Sequence, residues 1–268
     1  MEKKHLLRTL GIAFGLTLVL AGVSVHASAK TVRVGVVGDQ DASIWRAVGK
    51  ETAKKDGIQL KIVNFTDYNQ PNNALTDHSI DINAFQSYNF QSQWNKSHKT
   101  DIVGIGNTYF QPLALYSQSA KKLSDLKHGA KVIIPNDAAN EERGLLLLQR
   151  AGLIKLKHTN LPTPSDITHN KLDLKVTTVD AAQTARSLTS VDAAVVNGNY
   201  ASAANLKLKN ALYREQLKTG GQYINVVSSL KKDRHNKTYL KVVKAYQTEA
   251  TKKNIDKYYK GNTLPAWK

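Results

Sequence analysis

From residue 30 onward, short β-branched runs alternate with helical patterns, and that alternation leaves few architectures open. Thr31 to Val37, Gln59 to Asn64, Ile102 to Ile105, Val132 to Ile134, Leu174 to Thr177, Ala193 to Val196 and Tyr223 to Val227 read as strands. Helical patterns lie between most of them, beginning with about Ile44 to Asp56, and a last helix is expected over about Lys237 to Lys260. Such alternation predicts α/β layers around largely parallel sheets. Pro112 and the Asn197-Gly198-Asn199 turn bracket a central block that starts and ends with sheet-like residues. The expected division is therefore one lobe from residues 30–111 and 199–268, a second from 112–198, and a cleft between them.

Residues 1–29 read as an export signal. Lys3, Lys4 and Arg8 form a basic start, Thr9 to Val23 is apolar, and Ala27-Ser28-Ala29 fits a small-residue cleavage site. The apolar run is short for a bilayer span. The chain has no cysteine, which excludes disulfides, thiol catalysis and thiolate metal sites. Its formal net charge of +17 is unevenly placed. Residues 201–268 hold 15 Lys and Arg against four acids, whereas residues 112–198 hold 11 against eight. A basic face on an exported chain points to an anionic surface such as cell-wall polymer, lipid headgroups or host polyanion, or else to a solubilising excess with no partner. Export and the lack of any nucleic-acid motif argue against nucleic acid.

The richest local pattern is Val132 to Ile134, then the polar turn Pro135-Asn136-Asp137, then a helix expected to carry Arg143 in its first turn, followed by the run Leu145 to Leu148. A helix start offers unpaired N–H groups and a positive dipole end, and a guanidinium beside them can take a carboxylate bidentately. The alternative is an ordinary solvated arginine on a helix surface. Three strand-end segments mix aromatics with amides: Phe65 to Asn72, Asn83 to Phe90 and Gly106 to Pro112. Aromatic walls with a few convergent polar groups suit a small, partly apolar ligand. Catalytic signatures (a G-x-S-x-G elbow, a phosphate loop, H-E-x-x-H) do not occur. Asp77, His78 and Asp81 are the one grouping with metal-ligand character, and a polar turn accounts for them more simply. No enzyme activity, cofactor or metal is expected.

These blocks occur in an order that resembles the methionine-binding lipoprotein family of the NlpA type. The resemblance rests on Phe65 to Asn72, Asp81 to Gln86, Gly106-Asn107-Thr108, Ile134 to Asp137, Arg143 with its leucines, Ala151 to Leu156, Asp192 to Asn197 and the closing Leu264-Pro265-Ala266-Trp267. It covers nearly all of the chain beyond the signal. It implies a two-lobed, periplasmic-binding-protein-like α/β fold that closes on one amino acid, methionine or a similar apolar one, and delivers it to an ABC permease. By position, Arg143 would take the ligand carboxylate and Asn140 and Asn197 its polar head. Tyr68, Phe85, Phe90 and Tyr109 would line the side-chain pocket. The protein is expected to act as a monomer.

Three departures stand out. Leu20-Ala21-Gly22 is followed by Val23 where the family carries its lipid-modified cysteine, so anchoring through that residue is impossible. Ser87 stands where the family often has histidine, and Glu141 and Glu142 replace small residues before the arginine. The two acids are expected to face solvent at the helix start. Without the lipid, Lys231, Lys232, Arg234, Lys237, Lys252, Lys253, Lys257 and Lys260 offer electrostatic retention on an anionic cell wall. The rival reading is a basic surface adhesin that has kept the fold and lost transport.

Overall fold

Valines 32, 34 and 36 alternate along the first strand and are all buried, so β1 (Lys30–Val37) has to lie inside a sheet. It is followed by α1 (Asp39–Glu51), β2 (Ile58–Phe65), α2 (Gln70–Thr76), β3 (Ile82–Asn83), α3 (Tyr88–His98) and β4 (Ile102–Phe110). The chain then enters a second sheet with β5 (Ala114–Tyr116) and β6 (Lys131–Pro135), continuing through α4 (Ala138–Arg150), β7 (Lys155–Leu156), β8 (Ile167–His169), β9 (Lys175–Val179), α5 (Ala181–Thr184), β10 (Ala193–Val196), α6 (Gly198–Ala203) and β11 (Tyr213–Arg214). It returns with β12 (Ile224–Leu230), α7 (Lys237–Tyr246), α8 (Glu249–Tyr259) and β13 (Leu264–Pro265). The computed structural model describes residues 30–51, 53–216 and 221–268. The export-signal reading of residues 1–29 falls outside them.

The first sheet has the order β13-β4-β12-β3-β1-β2 and the second β11-β5-β10-β6-β9. Both are mixed rather than largely parallel. β1 runs parallel to β2 and β3, but β12 is antiparallel to β3 and β4. The cause is topological: β4 leaves toward the second lobe and β12 comes back from it, so they run oppositely. In the second sheet β6 is parallel to β9 and β10, and β5 is antiparallel to β10 and β11.

The second crossing lies later than the sequence reading puts it. Asn197-Gly198-Asn199 does not lead out of the lobe; Gly198 opens α6. The chain then continues to β11, where Tyr213 and Arg214 pair with Leu115 and Ala114 of β5. Return to the first sheet falls between Arg214 and Ile224, so residues 199–214 sit with the second lobe. The expected single helix over residues 237–260 is also two helices. Gln247 leaves helical geometry at φ −79°, ψ 63°, and the Thr248 hydroxyl accepts from the Thr251 N–H to start α8.

In the first lobe α1, α7 and α8 cover one sheet face, with Trp45 stacked on Tyr246 at 4.6 Å between ring centres. Close approach of α7 requires Gly106 on β4, since a Cβ there would meet Val243 Cγ1 at 2.3 Å. In the second lobe α4 lays Leu145, Leu147 and Leu148 on the apolar strands β6 and β10. Each such side chain contributes about 1.5–3 kcal/mol on burial. These two cores fix the walls of the cleft.

Candidate functional site

Asp137 N-caps α4, its carboxylate accepting the Asn140 N–H at 3.0 Å. The helix end therefore meets an acid of its own chain, which corrects the expectation of a free anion site there. The Asn140 Nδ2 amide group donates to both oxygens of the same carboxylate, at 3.0 Å each. That contact fixes the amide's orientation, because only its nitrogen can face a carboxylate. Asn140 Oδ1 then accepts from Asn197 Nδ2 at 3.0 Å, which orients the second amide in turn. At the end of this chain Asn197 Oδ1 is buried with no hydrogen-bond partner. Burial shifts the Asp137 carboxyl upward, opposed by its bonds to Asn140.

Arg143 lies in the second turn of α4, not the first, and is only 6% exposed, which rules out a solvated arginine. Its Nε donates to Glu215 Oε1 at 3.0 Å and its Nη2 to Glu215 Oε2 and to the Gln111 carbonyl at 2.8 Å. Glu215 Oε2 also accepts the Leu113 N–H at 2.9 Å. The Tyr223 ring stacks on the guanidinium, 4.5 Å from its carbon. The fork expected for a ligand carboxylate is thus taken by Glu215, and Nη1 is the nitrogen left for a ligand.

The aromatic wall is one packed group. Tyr68, Phe85 and Phe90 sit with ring centres 5.6 to 5.8 Å apart. Behind them Asn72, Asn83 and Gln86 bond to one another through four amide contacts of 2.9 to 3.0 Å, all three fully buried. Ser87, in the place of the family histidine, N-caps α3 by accepting from Phe90 N. Tyr109 donates to Asp41 at 2.6 Å. Contacts across the cleft close the lobes: Tyr68 Oη to Asn199 Oδ1 at 2.6 Å, Tyr200 Oη to the Thr66 carbonyl at 3.1 Å, and Asn89 Nδ2 to Glu142 Oε2 at 3.3 Å. Glu142 is therefore turned toward the other lobe instead of plain solvent. Half-burial, and then Asp137, push the Glu141 carboxyl upward.

All seven residues expected to bind ligand (Arg143, Asn140, Asn197, Tyr68, Phe85, Phe90 and Tyr109) line one interlobe cavity of about 30 Å³. That volume is roughly two water positions, so the lobes are closed down on it. Asp41, Gln111, Asn199 and Asn225 line it too and were missed by the sequence reading. Glu215 was missed as well. Amides and a lone acid at these spacings carry no periodic signal. The strand-end position of Asn225 was the one available hint.

Elsewhere, Asp81 is held by Arg33 through both carboxylate oxygens and Asp77 accepts from Ser79 N, which makes residues 77–81 a bonded turn. Among the described residues no group of three or more His, Asp or Glu is placed to hold a metal, and no helix is long and apolar enough to cross a membrane. Lys231, Lys232, Arg234, Lys237, Lys253, Lys257 and Lys260 are exposed. Lys252 is less free: it bonds Glu249 at 2.7 Å and lies over the Trp267 ring.

Two mixed α/β lobes, joined by two crossings and closed over oriented amides, aromatic rings and an ion-paired arginine, define a two-lobed binding protein of the periplasmic type. The chain matches the NlpA lipoprotein family over residues 32–267 and belongs to it. A probable D-methionine-binding lipoprotein MetQ from Haemophilus influenzae is 34% identical over 240 residues, which is 88% of this chain and 87% of that protein. The substrate-binding protein of a methionine transporter from Streptococcus pneumoniae is 41% identical with a TM-score of 0.83, covering 88% of this chain and 96% of that one. A nutrient-binding protein from Burkholderia cenocepacia, solved bound to methionine, is 41% identical with a TM-score of 0.85, covering 88% and 100%.

Proposed function

We propose that this protein is the exported, non-catalytic solute-binding component of an ABC importer and that its lobes close on methionine or a related apolar amino acid. One observation carries the reading: a buried, partnerless Asn197 Oδ1 shares a cavity with Arg143. An acceptor that needs a donor, beside a guanidinium that still has Nη1 to give although its charge is met by Glu215, matches the two ends of an amino acid. The Tyr68, Phe85 and Phe90 rings supply an apolar site for the side chain. The cavity is smaller than an amino acid, so entry requires the lobes to part, and ligand binding favours the closed form.

Membrane docking falls to a permease. Val23 in place of a lipid-bearing cysteine leaves retention to charge. The exposed cations of the C-terminal third are our proposed contact with an anionic cell wall, the protein remaining monomeric.

The test is thermal unfolding of refolded protein against the amino acids and a few dipeptides. At a hundredfold excess over its dissociation constant a true ligand adds about 2.7 kcal/mol. One strong hit, abolished by Arg143→Ala, is the expected result. A folded sample that responds to none of them, yet binds matrix or mucin, would replace transport with the adhesin reading.

A further inference from the structure

Asp41, in the first turn of α1, lines the cavity at 2% exposure. Its Oδ2 accepts from Tyr109 Oη at 2.6 Å and its Oδ1 from Tyr259 Oη at 2.9 Å. Each oxygen keeps a second lone pair. Among the described residues no Lys, Arg or His bonds it. The other charged residue lining the cavity is Arg143, and its charge is met by Glu215. Asp41 is thus an acidic group buried among hydroxyls with no cation of its own, an expensive arrangement that a ligand cation would relieve.

We propose that Asp41 receives the ligand's α-ammonium, alongside Asn197 Oδ1, and that it is the residue by which the pocket selects amino acids over their deaminated counterparts. This rests on the amino-acid reading of the cavity. An ammonium has three N–H donors, enough for both acceptors and one more.

A pH dependence follows from the surroundings. Burial pushes the Asp41 carboxyl up to about 7, with the Tyr109 and Tyr259 hydroxyls opposing the shift. The titratable groups facing it are Tyr109 from β4, Tyr259 from α8 and Tyr246 from α7, all of which Asp41 itself pushes further upward. α6 carries no charged residue. Across the cavity stand Arg143 and, behind Asn140, the buried Asp137. An arriving ammonium favours the ionised form of Asp41, so below its free value binding must expel a proton. Affinity then weakens as pH falls, by up to about tenfold per unit.

The experiment is isothermal titration of the purified, refolded chain with methionine and with its deaminated analogue 4-(methylsulfanyl)butanoate, across about two pH units on either side of neutrality. Methionine is expected to bind progressively more weakly in acid, while the weaker-binding analogue lacks that slope. Asp41→Asn should flatten the methionine profile and bring the two affinities together. Tyr259→Phe removes a hydroxyl that holds the Asp41 value down, so its midpoint should move to higher pH with binding intact in alkali. Unchanged selectivity and slope in Asp41→Asn overturn the proposal. If that variant does not fold, an unmoved midpoint in Tyr259→Phe overturns it instead. Wild-type protein that binds no methionine at any pH removes the amino-acid reading itself, and Asp41's role with it.

Discussion

Arg143 and Glu215 are each less than a tenth exposed, and their pairing joins α4 to the segment that leads back to the first lobe. Removing one member leaves the other charged and buried, which costs about 3–5 kcal/mol. Arg143→Ala should therefore lose both ligand and stability. Arg143→Lys keeps the charge but not the planar fork, and should unfold at intermediate urea while binding poorly. Glu215→Gln should bind nearly as well as wild type if Nη1 alone serves the ligand; urea unfolding and calorimetry on the three variants separate the roles. Arg143 was legible in the sequence because a strand, a turn and a leucine run fix its place. Glu215 was not, since its partner is 72 positions away and a single acid carries no pattern. Asp41, in an otherwise ordinary amphipathic helix, was invisible for the same reason.

The start of α4 carries two jobs at once. Asp137 closes the helix end and, through Asn140, sets the direction of the Asn197 amide. Asp137→Ala should cost about 1 kcal/mol as a lost cap. It should also release both amides to rotate, weakening ligand binding more than that stability loss alone accounts for. Asp137→Asn keeps a capping oxygen but can present nitrogen to Asn140, so it separates the two effects: the cap survives and the orientation does not. Chemical denaturation measures the first and calorimetry the second. Asp137 itself is a residue type that sequence reading places at helix starts, and the element was found on that ground. The break between α7 and α8 was not, because neither Gly nor Pro marks it; Thr248 interrupts the helix through a hydroxyl that looks ordinary in sequence. The strand pairings of β11 and β13 are two residues each, too short for any periodicity to show.

At the scale of the molecule, the two lobes could be foreseen but the second crossing could not. Asn197-Gly198-Asn199 has the composition of a turn, and only the pairing of β11 with β5 reveals that the chain stays in the second lobe beyond it. The charge asymmetry changes meaning with that boundary. Residues 231–268 belong to the first lobe, where α7 and α8 pack beside α1, and Lys241, Lys244, Lys253 and Lys257 are exposed there together with Arg46 and Lys50 of α1. Much of the excess charge is therefore carried by the helical face of the first lobe and not by a tail. Residues 112–214, the second lobe, hold 14 Lys and Arg against eight acids, whereas residues 231–268 alone hold 11 against three, so the two lobes would approach an anionic polymer unequally. Held by that face, the protein would keep its second lobe free to move as the cleft opens. Attraction between exposed charges falls off as the Debye length shrinks from about 8 Å at physiological ionic strength to about 3 Å at 1 M. Moderate salt should consequently release the protein from intact cells or purified walls. Replacing Lys253, Lys257 and Lys260 by Gln should lower the salt needed, while leaving methionine affinity unchanged because none of the three lines the cavity. Retention that moderate salt does not relieve would overturn electrostatic retention itself, and retention that the triple variant does not alter would place the contact elsewhere on the molecule.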